Sequence, residues 1–167
     1  MASTLIRILG VDPGLRRTGW GVVGALGSRL TFIACGVIET DAEAPVADRL
    51  FVIHAAVSRL VAEQWPHESA VEETFVNRDP QSALKLGQAR GAALAALAGA
   101  KLSVAEYAAN LVKKTVVGVG HADKKQVATM VKILLPASAA ASLDAADALA
   151  VAICHAQHRL ARLKGVA

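Results

Sequence analysis

Leu5 to Val11 reads LIRILGV, and Ile6, Ile8, Leu9 and Val11 make it apolar at both odd and even positions. Successive side chains of a strand point to opposite faces, so a run without alternation belongs to a central strand covered on both sides. Covering both sides requires helices above and below a sheet. A chain of 167 residues is long enough to build that arrangement around its own core, and the length suits one domain spanning 1–167. The turn Asp12-Pro13-Gly14 follows, then a second apolar run, Gly19 to Val23, and a third, Leu30 to Glu39. Three strands with short connections form an antiparallel meander.

The periodicity then changes. Val46 to Gln64 places Leu50, Ile53, Val57, Leu60 and Val61 on one side of a helix that stops at Trp65-Pro66. Ser69 to Phe75 reads as a fourth strand, Asn77 to Pro80 as a loop, and Pro80 or Gln81 to about Ala98 as a second helix. Ala83, Gly87, Gly91 and Ala95 recur on that helix every four positions, a stripe that lets another backbone approach closely. Leu102 to Glu106 reads as a fifth strand, and Ala108 to Val116 and Asp123 to Leu135 as helices around the glycine-rich Gly118-Val119-Gly120. Ser142 is placed to cap a last helix running to about Leu163. The expected fold class is α/β, a five-stranded mixed sheet with the meander first, flanked by helices.

Composition narrows the function classes. The hydrophobic fraction is 54% and the mean hydropathy +0.42, which excludes a disordered chain. Much of that comes from 35 alanines, and the most apolar stretch, Gly91 to Ala100, is half the roughly 20 residues of a membrane span. Met1 to Arg7 lacks the order of a signal peptide. Cys35 and Cys154 read as reduced core residues of a buried strand and a buried helix, so a soluble cytoplasmic protein is expected. The net charge is +4, but Lys85 to Lys132 holds eight basic residues against two acidic ones, a net of +6, while the rest of the chain carries −2. Such a cluster suits either a polyanion, whose condensed counterions it would release, or an ordinary solvated face.

Four carboxylates stand in apolar contexts. Asp12 ends the central strand, where it either opens the Asp-Pro-Gly turn or needs a cationic partner. Glu72 shares a face with Ala70 and Thr74 while Glu73 points the other way; one of the two faces the interior unless the strand is a half-exposed edge. Asp144 and Asp147 lie three residues apart at the start of an otherwise apolar helix. There they either answer the helix macrodipole or repel each other until a cation relieves them. Together the four suggest an acidic cluster at a sheet edge, the hard-oxygen donor set that Mg²⁺ prefers. Two such ions roughly 3.5–4 Å apart support in-line hydrolysis of a phosphodiester. Two Mg²⁺ would leave the chain at a net +8, a surface suited to DNA. The five histidines show no ligand spacing; His155 lies roughly 12 Å along the helix from Asp147 and reads as structural.

In order along the chain, Gly10-Val11-Asp12-Pro13-Gly14 with Thr18-Gly19-Trp20-Gly21, Glu72 with Phe75, Ser82 to Gly91 (SALKLGQARG), Val112 to Gly118 (VKKTVVG) and Asp144 to Ala150 (DAADALA) resemble the RuvC-type Holliday junction resolvases. The resemblance runs from about Leu9 to His155. It implies a ribonuclease H-like fold, a homodimer, and Mg²⁺-dependent nicking of four-way DNA junctions in recombination and repair, with Mn²⁺ as the alternative ion. By position it makes Asp12, Glu72, Asp144 and Asp147 the catalytic and metal-holding carboxylates. It makes Phe75 the aromatic placed against the crossover, where an apolar wedge offsets lost stacking. Lys113 and Lys124 match basic residues assigned to the scissile phosphate or backbone; Lys114 and Lys125 adjoin them, and physics alone does not choose within each pair. Arg78 and Arg90 are further candidates for backbone contact. The small-residue stripe falls at the family's dimer interface, and the RuvA–RuvB branch-migration complex is the implied partner. Two other classes remain as alternatives: a junction-binding module without catalysis, and an actin-like ATPase, which shares the opening hairpin but needs a longer, two-lobed chain.

Overall fold

The computed structural model describes residues 4–73, 79–139 and 141–163. Five strands form one sheet: β1 (Ile6–Asp12), β2 (Arg17–Leu26), β3 (Arg29–Glu39), β4 (Glu68–Glu73) and β5 (Val104–Ala108). The order across the sheet is β3-β2-β1-β4-β5. The β1, β2 and β3 strands pair antiparallel as the expected meander, whereas β4 joins β1 in parallel and β5 joins β4 in parallel. The sheet is therefore mixed, with β1 at its centre. Among the described residues the helices are α1 (Val46–Gln64), α2 (Pro80–Gly99), α3 (Ala109–Val117), α4 (Lys124–Leu134) and α5 (Leu143–Leu163). None of them is long and apolar enough to cross a membrane.

The doubly apolar β1 feeds two cores. Ile8, with Val23 and Ala70, packs against Leu149 and Ile153 of α5 and against residues of α3 and α4. Leu9 and Val11, with Val22 and Val71, pack against Ile53 and Val57 of α1 and against Ala93 and Leu97 of α2. Local chemistry sets the helix ends. The Asp79 carboxylate accepts from the Gln81 and Ser82 amides just ahead of Pro80, and Asp123 and Gln126 form a reciprocal capping box. Ser142 caps α5 as expected, its Oγ accepting from the Ala145 amide at 3.2 Å. Helix α1 ends at Trp65 in the left-handed region, φ 50°, with Pro66 preventing continuation.

Helix α5 lies unusually close to the sheet. A Cβ at Gly10 would overlap the Ala148 carbonyl oxygen, and one at Gly19 would overlap that of Asp144. Glycines on β1 and β2 facing α5 let backbone meet backbone, which explains how the stretch from Ala148 to Cys154 is fully buried.

Two expectations change, and a third feature takes a definite direction. Strand β5 lies two residues later than Leu102 to Glu106. Cys35 is half-exposed rather than core, because β3 is the edge strand and its faces are only partly covered; Cys154 is buried, and both are free thiols. The stripe of Gly87, Gly91 and Ala95 is exposed, while Ala89, Ala93, Ala96 and Leu97 face the sheet. Among the described residues, nothing lies within 4 Å of a Cβ built at Gly87 or Gly91.

Candidate active site

Asp12 is the last residue of β1 and Glu72 the penultimate residue of the parallel β4. The β1–β4 register runs through Val11 opposite Val71, so one step further sets the two acids side by side at the carboxyl ends of their strands. Strand alternation points both to the α5 side, the side of Ile8 and Ala70. The Asp-Pro-Gly turn that follows Asp12 is closed by Thr18, whose buried hydroxyl donates to the Gly14 carbonyl at 2.8 Å and accepts from the Gly14 amide at 3.2 Å. Gly19, opposite Asp12 in the β1–β2 ladder, is the point where α5 touches the sheet at Asp144. The first turns of α5 thus bring Asp144 and Asp147 over the same sheet edge.

Charge accumulates there. The Asp12 carboxyl is pushed up to about 7, first by burial and then by the neighbouring Glu72, Asp147 and Asp144 carboxylates, with Lys124 pulling the other way. Burial and Asp147 raise Glu72, against the pull of Lys113 and Lys124. Asp147 is raised as well: burial outweighs its ion pair with Lys124. The Lys124 ammonium reaches 2.9 Å from Asp147 Oδ2 and 3.9 Å from Asp144 Oδ1, and these partners raise its own pKa. The Lys124 ammonium therefore offsets only part of the effect of burial and mutual repulsion on these acids.

A divalent ion fits this donor set. All four side chains offer hard oxygen, the Asp12 carboxyl is held part-protonated near neutrality for lack of compensating charge, and a lysine ammonium already stands between two of them. Among the described residues, no three of these side chains stand close enough together to hold a metal ion.

The pKa of Asp12 has a thermodynamic consequence. An acid raised by folding favours the native state where it is protonated, and that contribution is lost as pH rises from the unfolded value of 3.8 through about 7. In EDTA, the protein is expected to lose up to about 3 kcal/mol of stability between pH 5 and pH 8, and Asp12→Asn to flatten that slope. Urea unfolding at several pH values checks it; an unchanged slope in Asp12→Asn would remove Asp12 from the cluster.

The structure separates the lysine pairs. Lys113 is half-buried and acts electrostatically on Glu72 and Asp147, whereas Lys114 is exposed; Lys124 and Lys125 are both exposed, and Lys124 is told apart by its ion pair with Asp147. Arg90 is engaged within the fold: its Nε donates to the Glu72 carbonyl at 3.2 Å and its guanidinium pairs with Glu106. It braces the end of β4 that carries Glu72. Phe75 and Arg78 lie outside the described residues. His155 is structural as expected: Nε2 donates to Glu68 at 2.8 Å, Nδ1 accepts from Tyr107 at 2.8 Å, and Glu68 also pairs with Arg159.

Sequence reasoning missed Arg17. Its Nε donates to Asp144 Oδ2 at 2.7 Å and another guanidinium nitrogen meets Glu39 Oε1 at 2.8 Å. The only linear signal was a second arginine beside Arg16 in the β1–β2 connection, and nothing in the pattern tied it to a residue 127 positions away.

Comparison with known proteins agrees with this fold. The family model described as crossover junction endodeoxyribonuclease RuvC matches residues 8–155. A protein of that name from Methylocella silvestris is 64% identical over 162 residues, covering 97% of this chain and 92% of its own. The solved structure of Thermus thermophilus RuvC in complex with a Holliday junction substrate superposes with a TM-score of 0.85 at 36% identity, covering 96% of this chain and 97% of the other. The yeast mitochondrial Holliday junction resolvase has a TM-score of 0.70 at 14% identity, a likeness of fold.

Proposed function

The chain belongs to the RuvC family of crossover junction endodeoxyribonucleases, and we propose that it resolves four-way DNA junctions by hydrolysing phosphodiesters at the carboxylate cluster. What supports this reading is that Lys124 pairs with Asp147 and faces Asp144, while Asp12 and Glu72, at the carboxyl ends of β1 and β4, feel the charge of Asp147. These four would hold Mg²⁺, two ions per site, with Mn²⁺ as the alternative. The ions supply a water-derived nucleophile at neutral pH and stabilise the leaving oxygen. The chain's own part is to hold the acids, to exclude bulk water on the α5 side of the sheet, and to present Lys113 and Lys124 to the phosphate. Lys124 is suited to that, since its ammonium stands 2.9 Å from Asp147, beside the carboxylates that would hold the ions. Phe75 would rest against the crossover, and Lys114, Lys125, Arg78 and Arg90 complete the candidate DNA contacts. Arg90 would reach DNA only by leaving Glu106.

The chain is taken to act as one nuclease domain, in the cytoplasm, as a homodimer beside the RuvA–RuvB branch-migration complex. Support for the dimer comes from α2. An outward glycine in a helix costs about 1 kcal/mol relative to alanine, and a Cβ at Gly87 or Gly91 would meet nothing within 4 Å among the described residues. With Leu84 exposed beside them, they form a flat face against which a second copy can pack. Two-fold pairing matches two cuts in strands of like polarity. Gly87→Glu is expected to leave the far-UV spectrum unchanged and to give monomers in light scattering; a dimer of unchanged affinity would move the interface elsewhere.

The test of function is cleavage of a synthetic four-way junction. Paired symmetric nicks in Mg²⁺, lost in EDTA and absent on linear duplex, are the expected result. Junction binding without cleavage in either ion would support a binding module instead.

A further inference from the structure

Asp144 divides its two carboxylate oxygens between different partners. Oδ2 accepts from Arg17 Nε at 2.7 Å, while Oδ1 faces the Lys124 ammonium that marks the cation position shared with Asp147. Arg17 is itself held: Glu39 at the end of β3 takes its other guanidinium nitrogen at 2.8 Å. The result is a carboxylate–guanidinium–carboxylate strap running from β3 across the end of β2 to the first turn of α5. A planar guanidinium held at both ends fixes direction as well as charge, which a lysine does not.

We propose that Arg17 is a positioning residue that restricts Asp144 to ligation through Oδ1 alone and thereby tunes the site toward small octahedral ions over Ca²⁺. This rests on the reading of the four acids as metal ligands. Mg²⁺ demands near-ideal octahedral geometry, whereas Ca²⁺ accepts six to eight oxygens and takes carboxylates through one or both. Occupying Oδ2 withdraws the second oxygen that Ca²⁺ would use and leaves Mg²⁺ its single one. Releasing Oδ2 therefore favours the larger ion. Arg17 is close to half exposed, with 45% of its side chain accessible, so its replacement leaves both cores intact.

Removing a positive charge beside the site tightens binding of every divalent cation, so the informative quantity is the ratio of affinities. Isothermal titration of the full-length, DNA-free protein with Mg²⁺ and separately with Ca²⁺ reads it. Arg17→Met is expected to shift the ratio of affinities about tenfold toward Ca²⁺, the lower end of what losing an outer-shell partner does to metal affinity. Arg17→Lys, which keeps the charge without the fork, is expected to recover the absolute Mg²⁺ affinity and not the ratio. Glu39→Gln should move the ratio in the same direction by less. Equal tightening of both ions in Arg17→Met, or no change, would overturn the proposal while leaving the metal site standing. Unchanged Mg²⁺ binding in Asp147→Asn, or a wild type that binds neither ion, would overturn the site itself and the proposal with it.

Discussion

Asp147→Asn is expected to lower junction cleavage about 10³-fold or more while leaving junction binding within a few-fold of wild type. Asp147 is the most enclosed partner of the Lys124 ammonium, with 14% of its side chain accessible, and it acts on both Asp12 and Glu72. Asparagine keeps its volume and one carbonyl oxygen, so α5 and the cores beneath it are undisturbed. What disappears is a negative donor at the point where positive charge must be concentrated. A metal ion contributes several kcal/mol of transition-state stabilisation, and losing about 4 kcal/mol of it is a factor of about 10³ in rate. Binding rests mainly on phosphate contacts made by lysines and arginines, and removing an acid near the DNA slightly favours it. Single-turnover cleavage and gel-shift affinity, measured on the same junction, separate the two effects. Cleavage near the normal rate would take Asp147 out of the site.

Gly19→Ala is expected to be as damaging by a purely steric route. The new methyl would occupy the volume of the Asp144 carbonyl oxygen, which is backbone and cannot rotate away. Either α5 lifts from the sheet or β2 shifts. Overpacking usually costs about 1–3 kcal/mol, and a backbone collision at a contact with no slack belongs at the upper end or beyond. The same displacement carries Asp144 and Asp147 away from Asp12 and Glu72. Cleavage is therefore expected to fall much further than the loss of folded protein accounts for, a difference that thermal unfolding and single-turnover rates together measure. Gly99→Ala, at the C-terminal end of α2, is the control: nothing among the described residues lies within 4 Å of the added atom, which should slightly stabilise the helix. A Gly19→Ala protein of normal stability and rate would mean that α5 does not rest on β2 as described.

The difference between these two glycines shows where the linear pattern stops carrying information. The doubly apolar β1 dictates layers above and below the sheet, because alternation is a local property of a strand, and the structure fills both. Capping residues such as Ser142 and Asp123 mark helix starts for the same reason: their partners lie three residues away. The four acids stand out because each interrupts an apolar context. The outward direction of the α2 stripe is different, since Gly87 and Ala89 look equally suited to close packing until the sheet's position is known. Cys35 looks like core because its strand is apolar, and only strand order reveals that β3 is an edge. The choice of Lys113 over Lys114, and the strap from Glu39 through Arg17 to Asp144, depend on distances between segments that the chain brings together only on folding.

Divalent ions bound to the four carboxylates would take the place that the Lys124 ammonium holds beside Asp147. Crystals of the protein with a four-way junction grown in Mn²⁺ test it directly through the anomalous signal of the metal. The expected map has manganese among Asp12, Glu72, Asp144 and Asp147, with Lys124 withdrawn from Asp147 toward a phosphate. Manganese bound elsewhere, with the 2.9 Å pair between Lys124 and Asp147 intact beside the DNA, would contradict it.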